Sequence, residues 1–210
     1  MTRIVLTRHG HVEGIRPERF RGRADLALTG LGEAQAKAVA ARIAAHWKPQ
    51  AIYTSPMRRC VATAAAIAEA CRVTSVVLDD LNDIDYGQWQ WRTRDEIQAS
   101  SPELLALWCN APHLIRFPGG ESLQDLVARS ADAMRYVIRC HPAAAETVVL
   151  VGHDSVNRAL LLQLLDQPVS AYWRLAQHPC ALNEIDIAGG QICVLRVNDT
   201  SHLDPLPVSI

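Results

Sequence analysis

Three short segments hold most of the residues whose types and spacing could do chemistry: Thr7-Arg8-His9-Gly10-His11, Thr54-Ser55-Pro56-Met57-Arg58-Arg59 and Val151-Gly152-His153-Asp154-Ser155. Each follows a short apolar run. A single histidine after a strand is ordinarily a structural or surface residue, and an arginine pair after a turn is ordinarily a solvated helix start. Two histidines and two arginines brought together are different, because guanidinium forks match phosphate oxygens bidentately. The helix start after His153 adds a backbone dipole of the same sign. An imidazole that is neutral near pH 7 is a competent nucleophile toward phosphorus, and its phosphoramidate can be hydrolysed. The implied chemistry is phosphoryl transfer through a histidine.

Those residues converge only if the elements carrying them are strands of one parallel sheet. Arg3 to Thr7 reads as a short buried strand, and Thr29 can cap a helix to about Trp47, with Leu31, Ala34, Ala38 and Ala41 on one face. Ala51 to Thr54 is a second strand, followed by a helix from about Pro56 to Cys71. Val73 to Leu78 is a third strand, rich in β-branched residues. Residues 80–120 read as an irregular lid with two short helices at most. A long helix covers about 121–140, with Leu123, Leu126, Val127, Met134, Val137 and Ile138 at helical spacing. Thr147 to Val151 is a fourth strand and Ser155 to Leu165 a helix. Ala181 to Ile187 and Gln191 to Val197, joined by Ala188-Gly189-Gly190, form a hairpin. The tail from Thr200 to Ile210 is expected to be loose. Strand–helix alternation with short connections predicts an α/β three-layer sandwich. Its sheet is mostly parallel, with helices on both faces and an antiparallel edge. Ligands of such sheets bind beyond the carboxyl ends of the strands, where the three segments fall.

Bulk properties exclude several other classes. The 210 residues fit one domain, 49% of them are apolar, and the formal net charge is −1. Without a net basic charge there is no field drawing the chain to nucleic acid or to an anionic membrane. The apolar runs are too short to span a bilayer, and the first residues do not form a signal peptide, so a cytoplasmic protein is expected. Six cysteines lie too far apart in sequence for a CxxC pair, which leaves them as reduced thiols and offers no zinc ribbon.

The same segments resemble the histidine phosphatase superfamily, which includes the cofactor-dependent phosphoglycerate mutases. Arg8-His9-Gly10 matches its signature, and Phe20-Arg21-Gly22 through Asp25 to Thr29 and Gly32 matches the run into the first helix. Thr54-Ser55-Pro56 with Arg58 and Thr63-Ala64 matches the second-arginine segment, and Leu81 to Trp89 the acid-bearing loop. Gly119-Gly120-Glu121-Ser122 and Val151-Gly152-His153 complete the series in family order. The resemblance implies His9 as phosphoryl acceptor, Arg8, Arg58 and His153 as phosphate clamps, and Asp83 as proton donor. Asp85 is a lesser alternative for the donor. Arg21, Gly22 and Asp154 are the expected substrate contacts. Neither metal nor cofactor is implied, and the partner is a small phosphomonoester.

Four departures from the family pattern bear on substrate and mechanism. His11, Val12 and Ile15 replace the usual polar residues after the signature, which argues against glycerate phosphates. Gln88 to Trp91 carries two tryptophans, for which local packing is favoured over substrate stacking. Aspartate stands at position 83 where small members have glutamate. Asp154 after His153 matches the His-Asp proton donor of the acid phosphatase arm, so two carboxyls compete for one role. Three rival functions can be weighed. A mutase would need a larger water-excluding lid than residues 81–120 provide. A zinc hydrolase using His9, His11, His153 and Asp83 would place a dication beside Arg8 and Arg58. A phosphate-sensing or protein-binding module would not need all the chemical groups that are present.

Overall fold

A computed structural model describes residues 1–142, 145–204 and 206. Six strands form one sheet: β1 (Thr2–Arg8), β2 (Ala51–Thr54), β3 (Ser75–Val77), β4 (Glu146–Gly152), β5 (Leu182–Ala188) and β6 (Gln191–Asp199). Their order is β3-β2-β4-β1-β5-β6. The pairs β1–β4, β2–β4 and β2–β3 are parallel, whereas β5 runs antiparallel to both β1 and β6. This is the mostly parallel sheet with an antiparallel edge that the sequence pattern predicts.

The central strands are apolar on both faces, as a doubly covered sheet requires. On one face Ile4, Leu6, Val148 and Leu150 pack with helices α5 (Leu123–Cys140) and α6 (Asp154–Leu164). On the other, Val5, Ile52, Val149 and Val151 pack with α1 (Gly30–His46) and α2 (Arg58–Cys71). The Thr29 hydroxyl accepts a hydrogen bond from Gly32 N and caps α1. The helix buries Gly32, Gln35, Ala36, Val39, Ala40 and Ile43, one step round from the expected face. In an alanine-rich helix many faces look alike, and Val39 and Ile43 set which one turns inward. Between β3 and α5 lie the short helices α3 (Arg94–Ser100) and α4 (Pro102–Asn110), with 3₁₀ turns around them. The third strand is shorter than expected and exposed at the sheet edge. Of the expected loose tail, Ser201–Leu203 make a 3₁₀ turn, and residues 205 and 207–210 lie outside the described residues. No described helix is long and apolar enough to cross a membrane.

Sheet order is what assembles the site. Strand β4 lies between β1 and β2, so the carboxyl ends of all three are neighbours. Backbone bonds from His9 N to Gly152 O (3.0 Å) and from Ser55 N to Val151 O (3.1 Å) extend the pairing one residue into the loops.

Candidate active site

His9 follows β1 and is 2% exposed. Its Nδ1 lies 2.7 Å from the Gly10 carbonyl oxygen. That oxygen can only accept, so Nδ1 carries the ring proton and Nε2 keeps its lone pair. Burial, and then the Arg59 and Arg8 charges, hold the His9 pKa well below its ordinary value of 6.5. The ring is therefore a neutral nucleophile at neutral pH. Gly10 has no room for a side chain: a Cβ there would stand 2.4 Å from the Gly32 carbonyl oxygen. The loop after β1 is pressed onto the start of α1, which fixes the imidazole.

His153 caps β4, is fully buried, and stands edge-on to His9 with ring centroids 5.2 Å apart. Its Nδ1 accepts from Arg59 Nε (3.3 Å), so Nε2 is the protonated nitrogen and donates to Ser55 Oγ (2.7 Å). Burial, with Arg59 next, lowers its pKa well below 6.5. Arg8 ends β1, and its Nη1 donates to the Gln177 carbonyl at 2.6 Å. Its Nε is buried without a partner among the described residues. Burial brings the guanidinium pKa down to about 10, still charged at neutral pH. A buried cationic N–H left unbonded costs free energy that an anionic ligand would recover.

Arg58, expected in the site, is exposed, and its described polar contact is backbone N donating to Asp25 Oδ1 (3.1 Å). Its neighbour Arg59 is the residue turned inward. Arg59 is fully buried and donates from Nη2 to Asp83 Oδ2 (3.0 Å) and Gly22 O (2.6 Å), and from Nη1 to Ala24 O (2.7 Å). Successive helical residues point about 100° apart, so only one of the pair can face the site. Ile67, Thr63 and Cys60 lie on the buried face of α2, and stepping back four from Thr63 gives Arg59. That periodicity was present in the sequence and identifies the arginine that faces inward.

Asp83 lies at this centre. Besides Arg59, it accepts from Ser155 Oγ (2.5 Å) and Ile84 N (2.9 Å) at Oδ1, and its Oδ2 is 3.4 Å from His153 Nδ1. Asp85 faces elsewhere, accepting from Gly87 N (2.9 Å) and lying 3.5 Å from Arg23. Asp154 is the first residue of α6 and pairs with Arg158 (2.9 Å). It nevertheless lines the same cavity as Asp83, together with Arg21 and Gly22. Arg21 is engaged through Nη1 with the Gly14 carbonyl at 2.5 Å. His11 bonds through Nδ1 to Thr29 Oγ1 at 2.9 Å. No group of three or more His, Cys, Asp or Glu among the described residues is placed to hold a metal ion.

Three contributors besides Arg59 escaped the sequence reading. Ser55 and Ser155 hold His153 and Asp83, and a lone serine gives no signal in a sequence. Arg129 on α5 donates to the carbonyls of Asp80, Asn82 and Asp83 at 2.9, 2.6 and 3.0 Å and pairs with Glu121 at 2.8 Å. It thereby fastens the acid-bearing loop to the helix. Of the two tryptophans expected to pack locally, Trp89 is 1% exposed and packs edge-on against Phe20 and Phe117, whereas Trp91 is 37% exposed with Arg19 over its ring.

The arrangement can bind a tetrahedral anion at two guanidinium groups, with a nucleophilic nitrogen and a carboxyl alongside. Residues 4–200 match the sequence model of the histidine phosphatase superfamily (branch 1). The chain is 30% identical over 203 residues to phosphoserine phosphatase 1 of Hydrogenobacter thermophilus, covering 97% of this chain and 95% of that protein. It is 32% identical over 205 residues to a metal-independent phosphoserine phosphatase of Arabidopsis thaliana, covering 97% and 84% respectively. Among solved structures, Bacillus stearothermophilus YhfR superposes with a TM-score of 0.91 at 29% identity, covering 97% of this chain and all of that one.

Proposed function

The chain belongs to the histidine phosphatase superfamily, branch 1, and we propose that it is a metal-independent phosphomonoesterase that takes the phosphoryl group of a small metabolite onto His9 Nε2 and passes it to water. The observation that carries this reading is the His9 tautomer. Gly10 O holds Nδ1–H, so the lone pair lies on the ring nitrogen remote from the backbone. Residues 1–210 are read as one such domain, with about 80–120 as its lid. Cytoplasmic placement agrees with six unpaired cysteines.

The reaction follows from the geometry. The substrate dianion is held by the Arg8 and Arg59 guanidinium groups, with His153 Nε2–H as a further donor after it leaves Ser55. Nε2 of His9 forms a bond to phosphorus as the ester P–O bond breaks, and the charge spreading over the phosphoryl oxygens meets fixed cations. Asp83 gives its proton to the leaving oxygen. Its bond to Arg59 is one that the phosphate oxygens compete for. In the second half, Asp83 as carboxylate takes a proton from water as the water oxygen attacks phosphorus, and the P–N bond electrons return to Nε2. Hydrolysis is favoured over transfer to a second hydroxyl because the 80–120 segment is short, and water reaches the intermediate.

His9→Ala should abolish turnover of phenyl phosphate while leaving the far-ultraviolet circular dichroism unchanged. Rapid quench with ³²P-labelled substrate should trap an acid-labile, base-stable phosphoenzyme in the parent protein, with and without EDTA. Full activity in the variant with no trapped species would refute the reading.

A further inference from the structure

A cavity opens beside Asp83. Its volume is about 60 Å³, and Asp83 and Ser155 line it together with Phe20, Tyr86, Trp108 and Trp173. A wider hollow of about 260 Å³ shares Phe20, Trp108, Trp173 and Glu18 with it and runs on to Arg94 and Cys109. With four lining residues in common, the two make one cleft, with the proton donor at its inner end and aromatic rings along its length.

Most charged groups of the inner half are already satisfied within the protein, whereas the exposed Glu18 makes no side-chain bond among the described residues. Arg21 is bonded to the Gly14 and Arg19 carbonyls, Arg19 to the Trp91 carbonyl, and Asp154 to Arg158. Reading an amino acid's carboxylate would require drawing Arg19 or Arg21 from those carbonyls. Of the aromatic rings, Trp108 is 3% exposed and Phe20 packs edge-on against Tyr86 and Trp89, so Trp173 offers most of the open ring surface. Trp173 is 42% exposed although it lines both parts of the cleft. Its Nε1 is fixed on the Trp108 carbonyl (2.8 Å) and Arg158 lies over its ring at 4.9 Å. A ring so held is pre-oriented, and Arg158 can cover only one of its two faces.

Resting on the phosphomonoesterase reading, in which the leaving oxygen lies at Asp83, we infer that the leaving alcohol carries a flat aromatic or heteroaromatic ring that packs along Phe20, Trp108 and Trp173. Trp173 is thus the specificity-determining residue for the leaving group. The test compares esters of primary alcohols, which make similar demands on the acid: 2-naphthylmethyl phosphate, propyl phosphate and O-phosphoserine. The parent enzyme should prefer the naphthylmethyl ester in kcat/KM by on the order of tenfold or more, from buried ring area and stacking. Trp173→Ala and the bulk-retaining Trp173→Leu should remove most of that preference, with much smaller losses on the other two esters. Trp173→Phe should keep it. Turnover of phosphoserine or propyl phosphate as fast as the naphthylmethyl ester, or equal proportional losses on all three in Trp173→Ala, would overturn the inference and leave the phosphatase reading standing. Calorimetric binding of 2-naphthylmethyl phosphate to His9→Ala protein separates the converse case. Should the parent enzyme hydrolyse no ester, binding that weakens with Trp173→Ala would support the cleft and sink the phosphatase. Neither binding nor turnover would sink both.

Discussion

A carboxyl at position 83 can act as a proton donor only if it stands beside the leaving oxygen, and aspartate is one methylene shorter than the glutamate usual in small members of the family. The structure seats Asp83 against Arg59, Ser155 and the His153 ring. Asp154 differs from it in partners rather than in place. Both line one cavity, but Asp154 is paired with Arg158 at the start of α6, where its charge also favours the helix dipole. A good leaving group departs without a proton and masks loss of the donor, whereas a poor one exposes it. Asp83→Asn should therefore slow phosphoenzyme formation from alkyl phosphates by on the order of 10² to 10⁴, with a far smaller loss on p-nitrophenyl phosphate. Asp154→Asn should give modest losses of similar size on both. Single-turnover rates on the two ester types check this, and a leaving-group-dependent collapse confined to Asp154→Asn would move the donor to the His153-Asp154 pair.

Elements decide which residues of a motif reach the site. At the start of α2 the sequence offers two adjacent arginines, and helix phase sends Arg59 inward and Arg58 to solvent. Arg59→Ala should lower kcat/KM by at least about 10², the scale for losing a fixed donor to transition-state charge, and would also leave Asp83 without its cation. Lysine at 59 should restore little, since an ammonium cannot bond Gly22, Ala24, Asp83 and His153 at once. Arg58→Ala should stay within about twofold of the parent, as a surface change; steady-state kinetics of the three variants settle the assignment. The strands, the order of the helices and the placing of His9 and His153 were legible because apolar runs and β-branched residues mark strands by local pattern alone. The phase of α1 and α2 was harder to read, because it depends on which of several small side chains meets the sheet. Arg129 was not legible at all. Its bonds to the backbone of residues 80–83 join segments more than forty positions apart, and an arginine on a helix looks the same whether or not a loop crosses it.

On the scale of the whole molecule, a chain with a formal net charge of −1 gathers two arginines and two histidines at the carboxyl ends of β1, β2 and β4. The cost of this concentration is reduced by keeping both imidazoles neutral, and that makes the fold sensitive to acid. His9 and His153 are held well below their ordinary pKa of 6.5, chiefly by burial and then by Arg59. In the unfolded chain each takes up a proton near 6.5, while in the native state neither does until a lower pH. Between those values the unfolded state binds more protons, so stability falls as pH falls. At pH 7.5 both states hold neutral rings and the effect is absent. Below 6.5 each histidine should remove about 1.4 kcal/mol per pH unit until its native pKa is reached. The free energy of unfolding by urea, measured at constant ionic strength from pH 7.5 to 5.5, should therefore decline most steeply below 6.5. His9→Ala should flatten the decline by about one histidine's share, because the variant no longer buries that titrating ring. A stability profile that is level or rises on acidification would mean that the imidazoles are already charged in the native site, and an Nε2 bearing a proton has no lone pair with which to attack phosphorus.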